Sequence, residues 1–187
     1  MLIVLALVIG IILLYYILVL YHRWTRWPER RIRKHKEEAK EALEACKEEI
    51  RLKPSNADAH YNLGRMCLEI GNRTLPSEID PVLGYSGVRL YEEAVTAFKE
   101  AIRLKPDFAK AHLNLGVAYG SLSRYEEAIA AYKEAIRLKP DYAGAHYNLG
   151  LAYLLIGNLE AALEQHEILK ILDADFAKEL SDRINDN

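Results

Sequence analysis

Apolar residues follow two different patterns along this chain. From Leu2 to Tyr21 they form a run without any charged residue, LIVLALVIGIILLYYILVLY. A helix of about 20 residues rises about 1.5 Å per residue and spans roughly 30 Å, the thickness of a bilayer's hydrocarbon core. Because the run is apolar on every helical face, it differs from the one-sided stripe of a globular surface helix. The pattern predicts a transmembrane anchor within residues 1–22.

The residues that flank this run indicate a retained anchor and give its orientation. No charge precedes the run, and Tyr21-His22-Arg23-Trp24 follows it, unlike the basic start and small-residue cleavage site of a signal peptide. Residues 23–36 form a basic juxtamembrane segment, and positive flanks stay on the cytoplasmic side. We therefore expect a single-pass membrane protein with its N-terminus outside and the remainder in the cytoplasm. The residues expected at the membrane interface are Tyr21, Arg23, Trp24, Arg26 and Trp27.

Charge is distributed unevenly, although the net charge is only −2. Residues 23–36 contain seven basic residues and one acidic residue, Glu29, so this segment is about +6 and the remainder of the chain is about −8. A nucleic-acid-binding domain would instead spread basic charge over its folded face, so we expect no nucleic-acid partner. The basic segment either contacts anionic lipid or serves only as a topology signal.

From residue 57 onward the chain repeats itself. Tyr91–Pro106 reads YEEAVTAFKEAIRLKP, and Tyr125–Pro140, 34 residues later, reads YEEAIAAYKEAIRLKP. A second block, AH(Y/L)NLG, begins at Ala59, Ala111 and Ala145. Self-similarity at this period predicts an array of helix–turn–helix units.

Small residues at fixed places give the repeat its specificity. Glycines recur on each first helix and alanines on each second helix: Gly64, Gly116, Gly150, Ala94, Ala128 and Ala162. These motifs resemble the tetratricopeptide repeat family over residues 37–187. The resemblance implies a helical-repeat superhelix, so that with the single N-terminal transmembrane helix predicted above the expected fold is all-α. We expect about three repeats, a partial N-terminal unit and a C-terminal capping helix over Ala177–Ile184.

The first full repeat carries an insertion at residues 73–90. Its prolines and glycines disfavour a long helix, but it holds too many apolar side chains for a solvated spacer. Long loops in compact folds are usually functional. The insertion either covers its own repeat or contacts a partner, and its candidate contact residues are Leu75, Ile79, Leu83 and Tyr85.

The resemblance also implies a concave groove, lined by the first helices, that binds partner proteins. The groove residues carried over by position are Tyr61, Arg65, Leu113, Val117, Tyr147, Leu151 and Leu154. Contiguous exposed apolar side chains usually mark an interaction site. The alternative is that the insertion or the C-terminal helix fills the groove.

No motif in the sequence predicts catalysis, so we expect a protein that is not an enzyme, without a cofactor or small-molecule substrate. His60, His112 and His146 occupy one repeat position, on the order of 10 Å apart in stacked helix pairs, too far to share a metal ion. They are expected to pack between helices. Cys46 and Cys67 form no metal or redox motif and are expected to be reduced, buried thiols.

These features predict a membrane-anchored protein–protein interaction scaffold, an adaptor or assembly factor that acts through the groove and the insertion. An alternative is a stoichiometric accessory subunit of a larger integral membrane complex of the respiratory, photosynthetic or secretion type. Tyr15 and Tyr16 within the apolar run favour this alternative, because they offer a face for fixed packing. A more distant alternative is a targeting-signal receptor. The expected partners are other proteins, including integral membrane subunits.

Overall fold

The structure is a computed structural model that describes residue 34, residues 37–73 and residues 86–186. The chain divides into two compact units, Met1–Glu41 and Ala42–Asn187. The predicted membrane anchor, the basic segment apart from Lys34, and residues 74–85 of the predicted insertion lie outside the described residues. Within the described ranges, no helix is both long enough and apolar enough to cross a membrane.

Eight helices make up the described part of the chain. Helix α1 covers residues 37–52, as the sequence predicts for the partial N-terminal unit. The remaining helices are α2 (Ala57–Gly71), α3 (Gly87–Leu104), α4 (Ala109–Ser121), α5 (Tyr125–Leu138), α6 (Ala143–Leu155), α7 (Leu159–Leu172) and α8 (Ala174–Asn185). Within the described residues, the all-α prediction, the three helix pairs and the C-terminal capping helix are confirmed.

The helices pack in pairs that stack on one another. Helix α2 packs against α3, α4 against α5, and α6 against α7, and each pair contacts the next. The first helices α2, α4, α6 and α8 also contact one another in that order. They form a continuous inner layer, on which the predicted groove residues of α2, α4 and α6 lie.

Helix α3 begins earlier than the sequence predicts. The insertion was expected to extend to Leu90, but residues 87–90 form the first turn of the helix. The Ser86 side chain accepts a hydrogen bond from the Arg89 backbone N–H, which satisfies one of the free donors at the helix start. Leu90 is completely buried and fixes this turn against the core.

Close packing of aromatic rings on glycines holds the first two pairs together. A β-carbon on Gly64 would lie 2.7 Å from the Cε1 atom of Phe98, and one on Gly116 would collide with Tyr132. The alanines Ala94, Ala128 and Ala162 are fully buried, as expected for residues that allow two helices to approach. The packing role predicted for these small residues is confirmed.

Candidate functional site

Six of the seven predicted groove residues occupy equivalent positions on the first helices α2, α4 and α6, and Leu154 lies three residues after Leu151 on α6. One row contains Tyr61, Leu113 and Tyr147, and a second row contains Arg65, Val117 and Leu151. Arg65 is exposed, and the other groove residues are half-buried. Because the first helices contact one another, both rows run across the repeats. Such a surface offers apolar and polar contacts for a bound chain.

Tyr61 joins the first two repeats as well as lining the groove. Its ring centroid lies 4.8 Å from that of Phe108 and 5.9 Å from that of Phe98. The Asn114 Nδ2 atom donates a hydrogen bond of 3.0 Å to the Tyr61 hydroxyl. This tyrosine therefore has a packing role at the junction between repeats.

Tyr147 makes the same kind of contact with α8. Its ring stacks on Phe176 with centroids 4.9 Å apart, and its hydroxyl donates to the Glu179 carboxylate at 2.6 Å. Burial, followed by the hydrogen bond to Glu179, raises the pKa of Tyr147 to about 12. The hydroxyl is therefore neutral at physiological pH and acts as a donor.

Helix α8 also covers part of the remaining groove residues of the third repeat. Leu151 and Leu154 pack against a cluster formed by Leu169, Ala177 and Leu180. The capping helix thus lies beside α6 as a further helix of the inner layer. The predicted groove residues Arg65, Leu113 and Val117 lie on α2 and α4.

The sequence did not lead us to Phe108 and Phe176, the aromatic residues against which Tyr61 and Tyr147 pack. Phe108, Tyr142 and Phe176 recur at intervals of 34 residues, just before or at the start of each following first helix. Lys105 lies 4.9 Å from the Phe108 ring centroid, and Lys139 lies 5.1 Å from that of Tyr142. The 34-residue interval was the signal that could have identified them as junction residues.

The repeated histidines contact the end of the preceding repeat. The Nε2 atoms of His60 and His146 lie 2.9 Å from the carbonyl oxygens of Pro54 and Pro140, and the corresponding pair at His112 is 3.3 Å apart. Because a carbonyl only accepts hydrogen bonds, Nε2 carries a proton and donates. Within the described ranges, no group of three or more histidine, cysteine or acidic side chains is placed to hold a metal ion.

His146 is the most enclosed of the three histidines. It is buried, and its Nδ1 atom lies 2.8 Å from the side-chain amide of Gln165 on α7. Both ring nitrogens are therefore occupied by groups of the protein. The two contacts of His146 therefore connect α6 and α7 with the segment that follows α5.

Neither Cys46 nor Cys67 forms a disulfide, and burial raises the pKa of each thiol. Cys67 is fully buried, and its pKa rises to about 12, whereas Cys46 is half-buried with a smaller rise. A buried neutral thiol is a weak nucleophile. The expectation of full burial is confirmed for Cys67 and is wrong for Cys46, because α1 leaves that side chain partly open to solvent.

Two further sets of predicted contact residues lie outside the described residues. They are the insertion residues Leu75, Ile79, Leu83 and Tyr85, and the membrane-interface residues Tyr21, Arg23, Trp24, Arg26 and Trp27. Both sets remain predictions.

Comparisons with known proteins support the tetratricopeptide repeat assignment. The family described as "TPR repeat" matches residues 91–123 and 118–157. A comparison with curated proteins gives no match. The described helices have the fold of a tetratricopeptide-repeat superhelix.

Several solved structures share this fold. A thermophilic TPR protein of Thermus thermophilus, TTC0263, superposes with a TM-score of 0.62 at 25% identity, covering 75% of this chain and 70% of that one. Residues 41 to the end of MamA from Desulfovibrio magneticus RS-1 give 0.61 at 21% identity, covering 74% and 68%. MamA of MSR-1 gives 0.53 at 23% identity, covering 75% and 66%. The MamA likenesses establish the fold alone.

Proposed function

We propose that this chain is a membrane-anchored scaffold, an adaptor or assembly factor, that binds other proteins through the concave groove. The observation that carries the proposal is the row of groove positions on consecutive first helices. Leu113 and Val117 on α4 are half-buried apolar side chains. Arg65, which holds on α2 the position that Val117 holds on α4, is exposed. The inner layer thus offers an apolar strip with a flanking positive charge for a helix or extended segment.

The section of the groove on α2 and α4 is the one best suited to a partner. The third-repeat section already contacts α8 through Tyr147, Leu151 and Leu154. A charge at Leu151 or Leu154 would disturb the docking of α8 together with any partner. Val117 allows a cleaner test, because the equivalent residue of the first repeat, Arg65, is charged and exposed.

The test compares two substitutions that each place a carboxylate on an incompletely buried apolar position. Val117→Asp alters the groove, whereas Leu52→Asp alters the exposed end of α1 and serves as the matched control. We expect the full-length chain and Leu52→Asp to recover the same protein partners in mild detergent, and Val117→Asp to lose them. Equal recovery by a folded Val117→Asp variant would contradict the groove as the binding site.

Membrane anchoring is supported by the sequence. The uncharged run from Leu2 to Tyr21 is long enough to cross a bilayer, and residues 23–36 supply the positive flank that fixes orientation. Extraction of cell membranes at alkaline pH tests this part of the proposal. The full-length chain should stay with the lipid fraction, and a variant that lacks residues 1–22 should be released.

A further inference from the structure

Exposed apolar side chains are concentrated in the last repeat. Among the described residues, seven of the nine large exposed apolar side chains lie within residues 155–172. They are Leu155, Ile156, Leu159, Leu163, Ile168, Ile171 and Leu172. They lie at the corner between α6 and α7 and along α7. The earlier repeats have no comparable concentration in the described ranges.

One of these residues occupies a position that the earlier repeats bury. Leu163 of α7 corresponds to Val95 of α3 and Ile129 of α5. Val95 and Ile129 are 7% and 9% exposed, whereas Leu163 is 44% exposed. In an α-helix, residues four apart lie on the same face, so Leu159 shares this side of α7. The same packing position is therefore filled in two repeats and open in the third.

Lysines one turn after Val95 and Ile129 show which neighbouring helix this face of the second helices points toward. Lys99, four residues after Val95, lies 5.6 Å from the ring centroid of Tyr119 in the next repeat. Lys133, four residues after Ile129, lies 5.7 Å from that of Tyr153. This face of each second helix thus points toward the first helix of the following repeat. At α7, helix α8 leaves Leu163 partly exposed.

The charge at this face is reversed in α7. The position held by Lys99 and Lys133, and by Lys47 in α1, is Glu167 in α7. The earlier lysines reach across the junction, as Lys47 does to the Glu93 carboxylate at 3.2 Å. Glu167 instead pairs with two residues of its own helix, the exposed Lys170 at 2.7 Å and His166 at 3.5 Å. Exposed ion pairs between neighbouring residues of one helix are weak, so a cationic side chain of a partner can replace Lys170 at Glu167.

We propose that Leu159, Leu163 and Glu167 form a docking surface for a basic amphipathic helix of a partner protein. That helix would lie along the exposed side of α7 next to α8, with apolar side chains on the two leucines and a lysine or arginine at Glu167. The exposed carboxylates Glu160 and Glu164 on the same helix add to the preference for a basic partner. They also disfavour an anionic lipid surface as the occupant. This inference rests on the proposed scaffold function and names a second binding surface and its class of partner.

The test titrates a fluorescent helical peptide with the full-length chain in non-ionic detergent, with detergent alone as the blank. The probe is a leucine–lysine peptide of about 18 residues, roughly five helical turns, with leucines on one face. The comparison probes are its scrambled isomer and a leucine–glutamate peptide of the same pattern. We expect saturable binding of the leucine–lysine peptide alone.

Two double variants separate this surface from the remainder of α7. Leu159→Gln with Leu163→Gln should weaken peptide binding by about tenfold or more. Ile168→Glu with Ile171→Arg, the matched control, alters two other exposed apolar positions and restores the residues found at Glu134 and Arg137. The control variant should bind the peptide as the native chain does. Circular dichroism and thermal unfolding establish that both variants are folded.

A charge reversal tests the class of partner. Glu164→Lys with Glu167→Lys should abolish binding of the leucine–lysine peptide and create binding of the leucine–glutamate peptide. Peptide binding that is unchanged by the leucine variant, or that ignores the charge of the peptide, would overturn the inference. A dimer of the native chain that dissociates in the leucine variant would assign the surface to a second copy and would also overturn it. The groove variant Val117→Asp should retain peptide binding, so failure here is distinguishable from failure of the groove proposal.

Discussion

Leu180 of α8 packs over Gly150 of α6, in the place that an aromatic ring occupies in the two preceding repeats. A β-carbon on Gly150 would lie 2.6 Å from the Cδ2 atom of Leu180. In the earlier repeats the corresponding partner is Phe98 or Tyr132, from the second helix of the same pair. The second helix of the third pair has His166 at that position, so the capping helix completes the packing.

The first prediction concerns this contact. Leu180 is completely buried, and Leu180→Ala would remove the side chain that covers Gly150. Buried leucine-to-alanine substitutions typically lower the free energy of unfolding by about 2–5 kcal/mol. We expect a loss in that range, measured by urea unfolding of the full-length chain in detergent. The exposed Ile171→Ala serves as the control and should change stability by less than about 0.5 kcal/mol. A similar effect of both substitutions would show that α8 does not stabilise the repeat.

Glycine substitutions should differ between the second and third repeats. A methyl group on Gly116 would meet the ring of Tyr132, which cannot bend away, whereas one on Gly150 would meet the end of the flexible Leu180 side chain. Overpacking of a core typically costs about 1–3 kcal/mol. We expect Gly116→Ala to destabilise the fold more than Gly150→Ala, as measured by their thermal unfolding midpoints. The reverse order would contradict the packing described here.

The turns after α4 and α6 offer a matched pair of backbone substitutions. Ser123 and Gly157 lie 34 residues apart and have left-handed φ angles of 58° and 76°. A side chain in this conformation costs roughly 1–2 kcal/mol relative to glycine. Ser123→Gly should therefore raise the free energy of unfolding by about 1 kcal/mol, and Gly157→Ser should lower it by a similar amount. Changes of the same sign in denaturant unfolding would refute this expectation.

The two thiols should differ in reactivity. Burial raises the pKa of Cys67 from 9.0 to about 12, so the native state keeps this proton where the unfolded state loses it. Its contribution to stability is present below pH 9 and is lost as the pH rises toward 12. At about pH 8 a thiol reagent should label the half-buried Cys46 rapidly and Cys67 only after unfolding.

The single-thiol variants Cys46→Ala and Cys67→Ala assign the two labelling rates. The Cys67→Ala variant should also lose less stability than the native chain between about pH 9 and 11, because the buried thiol no longer titrates. Rapid labelling of Cys67 in the native chain would contradict the burial of this side chain.

The repeat period was enough to predict the helix pairs, the packing glycines and the capping helix, because each depends on contacts within one pair or between neighbouring pairs. The period did not predict that α8 would replace a missing ring, since Leu180 lies outside the helix pair that contains Gly150. It also did not separate the two roles of Tyr61 and Tyr147, which line the groove and join repeats. The groove remains a prediction, because residues that contact a partner do not recur with the repeat period of the sequence.

The exposed face of α7 was missed for a related reason. The repeat comparison singled out positions that match, whereas Glu167, Ile168 and Ile171 are informative because they depart from the pattern of Lys133, Glu134 and Arg137. Departures gain meaning only when the structure shows which of them face solvent. Ile171, for example, is 87% exposed, a cost that a soluble surface normally avoids.

The central claim is that this chain binds other proteins as a membrane-anchored scaffold. The most direct test is purification of the full-length chain from its own membranes in mild detergent, with identification and stoichiometry of the proteins that accompany it. We expect specific protein partners that are lost in the Val117→Asp variant and retained in Leu52→Asp. Partners at a fixed ratio would favour an accessory subunit, and partners at a lower, exchangeable ratio an adaptor. Recovery of the chain alone, or of the same proteins with the Val117→Asp variant, would contradict the account.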